Sequence, residues 1–267
     1  MIHIKRLGHV GIVVPHVERV AAFYEDIVGM EISERVDGAI FLRCNDEHHC
    51  LGLYPGTERG LHHLGLEVHD REALEHVRFT LGQHGLQPVP DEDLHPGIGE
   101  SVCYCDPDGN LLKFYEGMEQ VRQPLLPREV RPVKFGHITF HTIELNRTLA
   151  FYRDVLAFRL SDTVGGDTLA WLRCNQDHHG IAFLNDGQAK VNHYCFDLAD
   201  WHTIKEICDH LKKSEVPIIY GPSRHGPGDN VFLYIPDPEG NVIELSTEML
   251  QIWDEQSYQP RNWPNAP

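Results

Sequence analysis

Two histidines and a glutamate, His137, His193 and Glu244, stand in three stretches whose alternation of apolar and polar residues predicts β-strands. Side chains two residues apart on a strand share a face, so each of the three needs only the right parity to reach a common concavity. Two imidazoles and one carboxylate on one face leave open positions around an octahedral divalent ion, the ligand set used at mononuclear non-haem Fe(II) centres. The chain also carries a second version of this set. Gly8-His9-Val-Gly-Ile aligns with Gly136-His137-Ile-Thr-Phe, and His63 aligns with His193. An Asp-Pro-x-Gly turn follows in each copy, but it leads to Lys113 in the first and to Glu244 in the second. The turn itself is a structural feature common to both copies. A protonated lysine cannot ligate a metal, so His9, His63 and Lys113 read as a lapsed site. A glutamate among Val242, Ile243 and Leu245 would be costly to bury without a cation.

The elements that must hold these residues also repeat. Ala22-Phe-Tyr24 pairs with Ala150-Phe-Tyr152, Phe41-Leu-Arg-Cys-Asn45 with Trp171-Leu-Arg-Cys-Asn175, and His48-His49 with His178-His179. A period this long indicates duplicated domains rather than a solenoid. Apolar residues at Val17, Val20, Ala21, Tyr24, Ile27 and Val28 predict a helix over 17–28, followed by strands near 30–32, 39–43 and 50–54. A strand over 61–68, a helix over 71–83 and strands near 101–105 and 110–115 follow. The expected fold is α+β, with two tandem domains. Each domain contains two βαβββ modules forming an open, barrel-like mixed sheet around a concave site. The expected boundaries are 1–117 for an N-terminal domain with a degenerate metal site, 118–133 for a linker, 134–248 for the catalytic domain and 249–267 for a tail. Prolines 124, 127 and 132 suit a linker that cannot continue a strand. The tail has Trp253, Tyr258 and Trp263 without periodicity, and aromatics at that density are expected to pack on the domain.

A formal charge of -17 on 267 residues argues against nucleic acid or an anionic membrane as partner and favours a small molecule. Seven cysteines without a C-x-x-C pair make a poor disulfide framework and point to reduced thiols in the cytoplasm. No apolar run approaches the length of a transmembrane helix.

The run HGPGDNVFLYIPDPEGNVIE from His225 to Glu244 resembles the signature of type I extradiol catechol dioxygenases, H-x(5-7)-[LIVMF]-Y-x2-D-P-x-G-x(2-3)-E. The whole chain resembles the two-domain members of the vicinal oxygen chelate (glyoxalase/bleomycin resistance) superfamily, in which the C-terminal half is the catalytic one. One departure is Ser223, at a place where the signature usually has Gly, Asn, Thr, Ile or Val. The resemblance implies extradiol cleavage of a catechol by dioxygen, with Fe(II) as cofactor, Mn(II) as the alternative ion, and a homo-oligomeric assembly. It makes His137, His193 and Glu244 the metal ligands. It also makes His179 the oxygen-side base, and Tyr234 and His225 the groups that hold the catecholate; the role of His178 stays open. In relatives acting on homoprotocatechuate an arginine stands where this chain has Tyr220, so a neutral substituted or bicyclic catechol is favoured, with Arg224 available to a carboxylate. The same fold also serves metal-dependent isomerases or lyases and non-enzymatic binding proteins, and these remain the alternatives.

Overall fold

The computed structural model describes residues 2–90 and 96–264, and in it the chain forms two open mixed sheets. The first contains β1 (Ile4–Val14), β2 (Glu31–Val36), β3 (Ala39–Arg43), β4 (Leu51–Pro55), β5 (Gly60–Val68), β6 (Ser101–Cys105) and β7 (Leu111–Glu116), in the order β2-β3-β4-β1-β5-β7-β6. The second contains β8 (Lys134–Thr142), β9 (Arg159–Val164), β10 (Leu169–Arg173), β11 (Ile181–Asn185), β12 (Lys190–Asp197), β13 (Tyr220–Arg224), β14 (Val231–Pro236), β15 (Val242–Thr247) and β16 (Arg261–Trp263). Their order is β13-β14-β15-β12-β8-β11-β10-β9-β16. Both sheets follow one plan. The first strands of paired modules run antiparallel, β1 with β5 and β8 with β12. Each then takes the last strand of its own module as a parallel neighbour, as in β1 with β4 and β12 with β15. The result is α+β and duplicated, as expected.

The helices α1 (Val17–Phe23), α2 (Arg71–Gln83), α3 (Leu145–Ala150) and α4 (Trp201–Lys213) pack on the sheets. Asp70 and Asp200 cap α2 and α4 by accepting the backbone N–H of Ala73 and Thr203. Leu74, Val77 and Leu81, and likewise Ile204, Ile207 and Leu211, form their buried stripes. The helix expected over 17–28 is instead α1 followed by a π-helical turn over Tyr24–Val28, and α3 continues the same way over Phe151–Val155. These wide turns bury two tyrosines at the contact between the halves. The Tyr24 hydroxyl lies 2.7 Å from that of Tyr194, and the Tyr152 hydroxyl donates to Asp106 at 3.0 Å.

Two further elements differ from expectation. Among the described residues between α2 and β8, β6 and β7 form full strands, while Val89 makes a single bridge to Cys103. Pro88 and Pro90 flank Val89, and neither has an N–H to extend a ladder. Residues 91–95 lie outside the described residues, as do the last three of the tail. The tail itself is partly regular: β16 runs parallel to β9 as an edge strand, and Trp263 packs against Val164 and Trp171. Trp253, in contrast, is 77% exposed.

Candidate metal centre and its cavity

Neighbouring strands β8, β12 and β15 bring the three expected ligands together. Cys195 on β12 is in register with both His137 and Glu244, and His193 is two residues earlier on the same face. His137 Nε2 and His193 Nε2 each lie 3.1 Å from Glu244 Oε2. The other carboxylate oxygen accepts the side-chain N–H of buried Asn230 at 3.1 Å. Burial alone would raise the Glu244 carboxyl, but the two histidines outweigh it and hold it well below the usual carboxylate range. The His193 imidazole is pushed down by burial and therefore favours its neutral form.

A chain of hydrogen bonds sets which nitrogen of His193 is free. Asp186 accepts from His141 Nδ1 at 2.6 Å, and Asn192 Nδ2 donates to His141 Nε2 at 2.9 Å. Asn192 Oδ1 then accepts from His193 Nδ1 at 2.7 Å, which leaves the His193 Nε2 lone pair facing Glu244. Orienting a ligand histidine through its second nitrogen is how metal sites fix tautomer and direction. Two imidazole nitrogens, each 3.1 Å from one buried carboxylate oxygen, are a donor set of the kind that suits a divalent cation such as Fe(II) or Mn(II).

Sequence reasoning missed Cys195, although the i+2 parity from His193 would have placed it on the same face. Its Sγ, with ligand atoms of His137 and Glu244, forms a group within 4.8 Å. Yet the thiol lies 3.3 Å from Ser246 Oγ and 3.8 Å from Asp197 Oδ1, and burial followed by the Glu244 charge pushes it well up. A protonated thiol engaged below the site is a poor ligand, and His193 rather than Cys195 lines the cavity above it.

That cavity is about 160 Å³. His137, His193 and Glu244 contribute to it, His179, His225 and Tyr234 add polar groups, and Leu169, Trp171 and Leu184 supply apolar surface. The His225 ring stacks on Phe232 with centroids 3.5 Å apart, and its Nε2 lies 3.4 Å from the Tyr234 hydroxyl. Burial lowers the His225 imidazole to about 4, so it is neutral at ordinary pH. Burial and then Glu244 raise the Tyr234 phenol, which stays protonated and able to donate. The His179 ring is 4.5 Å from that of His137 and is pushed well below its ordinary pKa by burial and then by His137 and His178. Tyr220 and Arg224 do not reach this cavity. Tyr220 is 55% exposed, facing Tyr234 across the ladder, and Arg224 pairs with Glu248 and donates to the Asp229 carbonyl. Thr139, Trp171, Asn192 and Asn230 were not singled out in the sequence, because nothing in their type or spacing marks them before the strands are paired.

The first half is arranged differently at the corresponding place. His9 Nε2 and His63 Nε2 bond each other at 2.8 Å, so one must spend its proton and the other its lone pair within the protein. Lys113 is fully buried in the position of Glu244. A larger cleft of about 650 Å³ lies between the halves, lined in part by Arg59, Asp108 and Lys190, and it shares Asn192 with the smaller cavity.

This arrangement matches a known family. The model of the Glyoxalase/Bleomycin resistance protein/Dioxygenase superfamily covers residues 6–114 and 134–245, one copy on each half. The chain belongs to that superfamily. Among superfamily members, a metapyrocatechase of Geobacillus stearothermophilus is 26% identical over 282 residues, spanning 97% of this chain and 86% of that protein. An iron-dependent extradiol dioxygenase of Rhodococcus jostii is 26% identical over 255 residues, spanning 85% of each. The crystal structure of a Mn(II)-bound glyoxalase from Novosphingobium aromaticivorans superposes with a TM-score of 0.90 at 28% identity, covering 99% of this chain and 89% of that one.

Proposed function

We propose that this chain is an extradiol dioxygenase that opens a catechol ring beside its diol, using a divalent metal held by His137, His193 and Glu244. The observation that carries the reading is the convergence of those three side chains under a small cavity that also presents His179, His225 and Tyr234. Fe(II) is the ion this reading favours, with Mn(II) as the alternative, in keeping with the iron-dependent and Mn(II)-bound proteins to which the chain is similar. When bound, the metal supplies the electron transfer between diol and dioxygen that side chains cannot perform.

The remaining work falls to the protein. Leu169, Trp171 and Leu184 receive the ring and exclude water from it. His179, neutral and lying beside His137, accepts a proton from the diol and later returns one to the oxygen side. Tyr234, a protonated donor, and His225, held flat against Phe232, fix the diol oxygens. The ring carbon–carbon bond next to one hydroxyl-bearing carbon breaks, and both atoms of dioxygen enter the product. With Tyr220 exposed outside the cavity lining and Arg224 already paired to Glu248, the reading favours a neutral substituted or bicyclic catechol. Seven cysteine thiols suit a reducing compartment, and a cytoplasmic homo-oligomer belongs to the same reading.

The test is oxygen uptake by the Fe(II)-loaded chain with a panel of catechols, read together with the yellow ring-opened product. The expected result is stoichiometric uptake that disappears in Glu244→Ala. Turnover of a substrate without oxygen uptake would move the chain to the metal-dependent isomerases or lyases of the same fold. Metal-independent retention of a small molecule without turnover would make it a binding protein.

A further inference from the structure

His178 and His179 are joined through the same nitrogen on each ring, Nδ1 to Nδ1 at 3.0 Å. Such a contact holds only when one Nδ1 carries the proton and the other accepts it. The choice is made behind His178, where its buried Nε2 has no hydrogen-bond partner in good geometry among the described residues and the nearest charged acceptor is the buried Asp162 Oδ2, 3.3 Å away. With that carboxylate beside it, we read a neutral His178 as carrying its proton at Nε2, which leaves Nδ1 to accept. His179 must then supply its own Nδ1–H, which leaves its Nε2 as an acceptor.

Asp162 is itself held almost entirely by the C-terminal tail. Its Oδ1 accepts the Arg261 backbone N–H at 2.8 Å and faces the Tyr258 hydroxyl at 3.3 Å, and its Oδ2 accepts the Trp263 indole N–H at 2.7 Å. Burial would raise this carboxyl, but His178, Arg261 and Trp263 together keep it below the usual range. A second line also runs from the tail. Glu255 pairs with Arg173, Arg173 Nη1 donates to Ser161 Oγ at 2.9 Å, and Ser161 donates to the His178 carbonyl.

The first half supplies an internal comparison. His48 and His49 repeat the Nδ1 contact at 3.0 Å, and Glu34, in the place of Asp162, lies 3.1 Å from His48 Nε2. The Glu34 side chain is 44% exposed, whereas that of Asp162 is 3% exposed beneath the tail. The acid-histidine-histidine order is therefore common to both halves, as a hydrogen bond from His48 to Glu34 in the first and a 3.3 Å contact between His178 and Asp162 in the second, and the seal over it belongs to the second half.

We propose that the C-terminal tail is a positioning device for His179: Tyr258, Arg261 and Trp263 fix Asp162, and Asp162, acting through His178, sets His179 with Nδ1 protonated and Nε2 free to accept. Asp162, His178 and Trp263 are positioning residues, and their importance to turnover rests on the function proposed above for His179.

The experiment uses the full chain, labelled with 15N-histidine and loaded with diamagnetic Zn(II), because nitrogen shifts distinguish the two tautomers directly. The wild type should show His179 as the Nδ1–H form, and Asp162→Leu should replace it with a mixture or with the Nε2–H form. In parallel, the Fe(II)-loaded Asp162→Leu variant should lose kcat toward a catechol by about 100-fold with KM and metal content little changed. Asp162→Glu, the acid used by the first half, should restore both tautomer and kcat. Should Asp162→Leu fail to fold, Trp263→Phe, which removes the indole donor together with part of the ring that packs on Val164 and Trp171, should shift the tautomer balance in the same direction. An unchanged tautomer, a loss confined to KM or metal content, or failure of Asp162→Glu to restore would overturn the proposal. Absence of catechol cleavage by the wild type would instead remove the functional reading and leave the tautomer measurement to decide the relay.

Discussion

Lys113 and Glu244 occupy the same rung of the two sheets, yet the residue beside them differs, since Lys113 is in register with Gly65 and Glu244 with Cys195. A side chain at position 65 would run into the His9 ring, so glycine lets that ring settle back against His63. In the second half the Cys195 side chain fills that space, and His137 is left facing the carboxylate. Loss of the acid and collapse of the two imidazoles onto each other thus form one packing solution.

Glu244→Ala should therefore abolish metal binding, whereas Lys113→Ala should leave one metal per chain. Metal analysis after dialysis checks both. Retention of metal by Glu244→Ala would exclude the carboxylate as a ligand, and loss from Lys113→Ala would reverse the assignment of the halves.

Asn192 joins His193 to His141 and, through it, to Asp186. Replacing it with leucine removes the acceptor that holds His193 Nδ1–H, and metal affinity should fall by about 10–100-fold. Asn192→Asp keeps an acceptor and should bind within a few-fold of the wild type. Chelator competition measures both, and equal affinity in the leucine variant would show that the ligand needs no such support.

Burial, followed by the charge of neighbouring His9, holds His49 and His63 well below the ordinary imidazole value of 6.5. Folding keeps them neutral, whereas the unfolded chain binds protons once the pH drops below about 6.5. Their contribution to stability is complete above that pH and declines as the pH falls toward their depressed values, by about 1.4 kcal/mol per pH unit for each extra proton bound on unfolding. Urea unfolding between pH 7 and 5 should show this slope, and His63→Gln, neutral throughout, should reduce it. Identical slopes in the two proteins would contradict the burial argument.

Tyr152 reaches from the second half to Asp106 of the first, and both are buried. Tyr152→Phe leaves that carboxylate with its Asn110 partner but one donor fewer, at a cost of about 1–2 kcal/mol. Thermal unfolding should move to lower temperature, and an unchanged midpoint would mean that the hydroxyl contributes nothing across the contact between the halves.

The α+β duplication was legible from paired motifs such as Phe41-Leu-Arg-Cys-Asn45 and Trp171-Leu-Arg-Cys-Asn175, and α2 from its apolar spacing. The strand after α2 was not, because Pro88 and Pro90 act on a ladder that exists only once β6 is its neighbour. His137, His193 and Glu244 were legible because side-chain type, strand parity and the Lys113 contrast all bear on one chemistry. Asn192, Asn230 and Asp162 were not, since an amide or acid gains meaning only from the atom it faces.

The amino-acid order alone determined the repeat, the acid present in one copy and absent from the other, and the spacing from His225 to Glu244. Tertiary structure decided that His9 closes on His63 while His137 and His193 share Glu244, that Cys195 lies beneath the site, and that the tail returns as β16 to cover Asp162. The physical reason is range. Strand parity and turn chemistry act over a few residues, whereas hydrogen bonds that fix a tautomer join atoms far apart in the chain, as from Trp263 to Asp162.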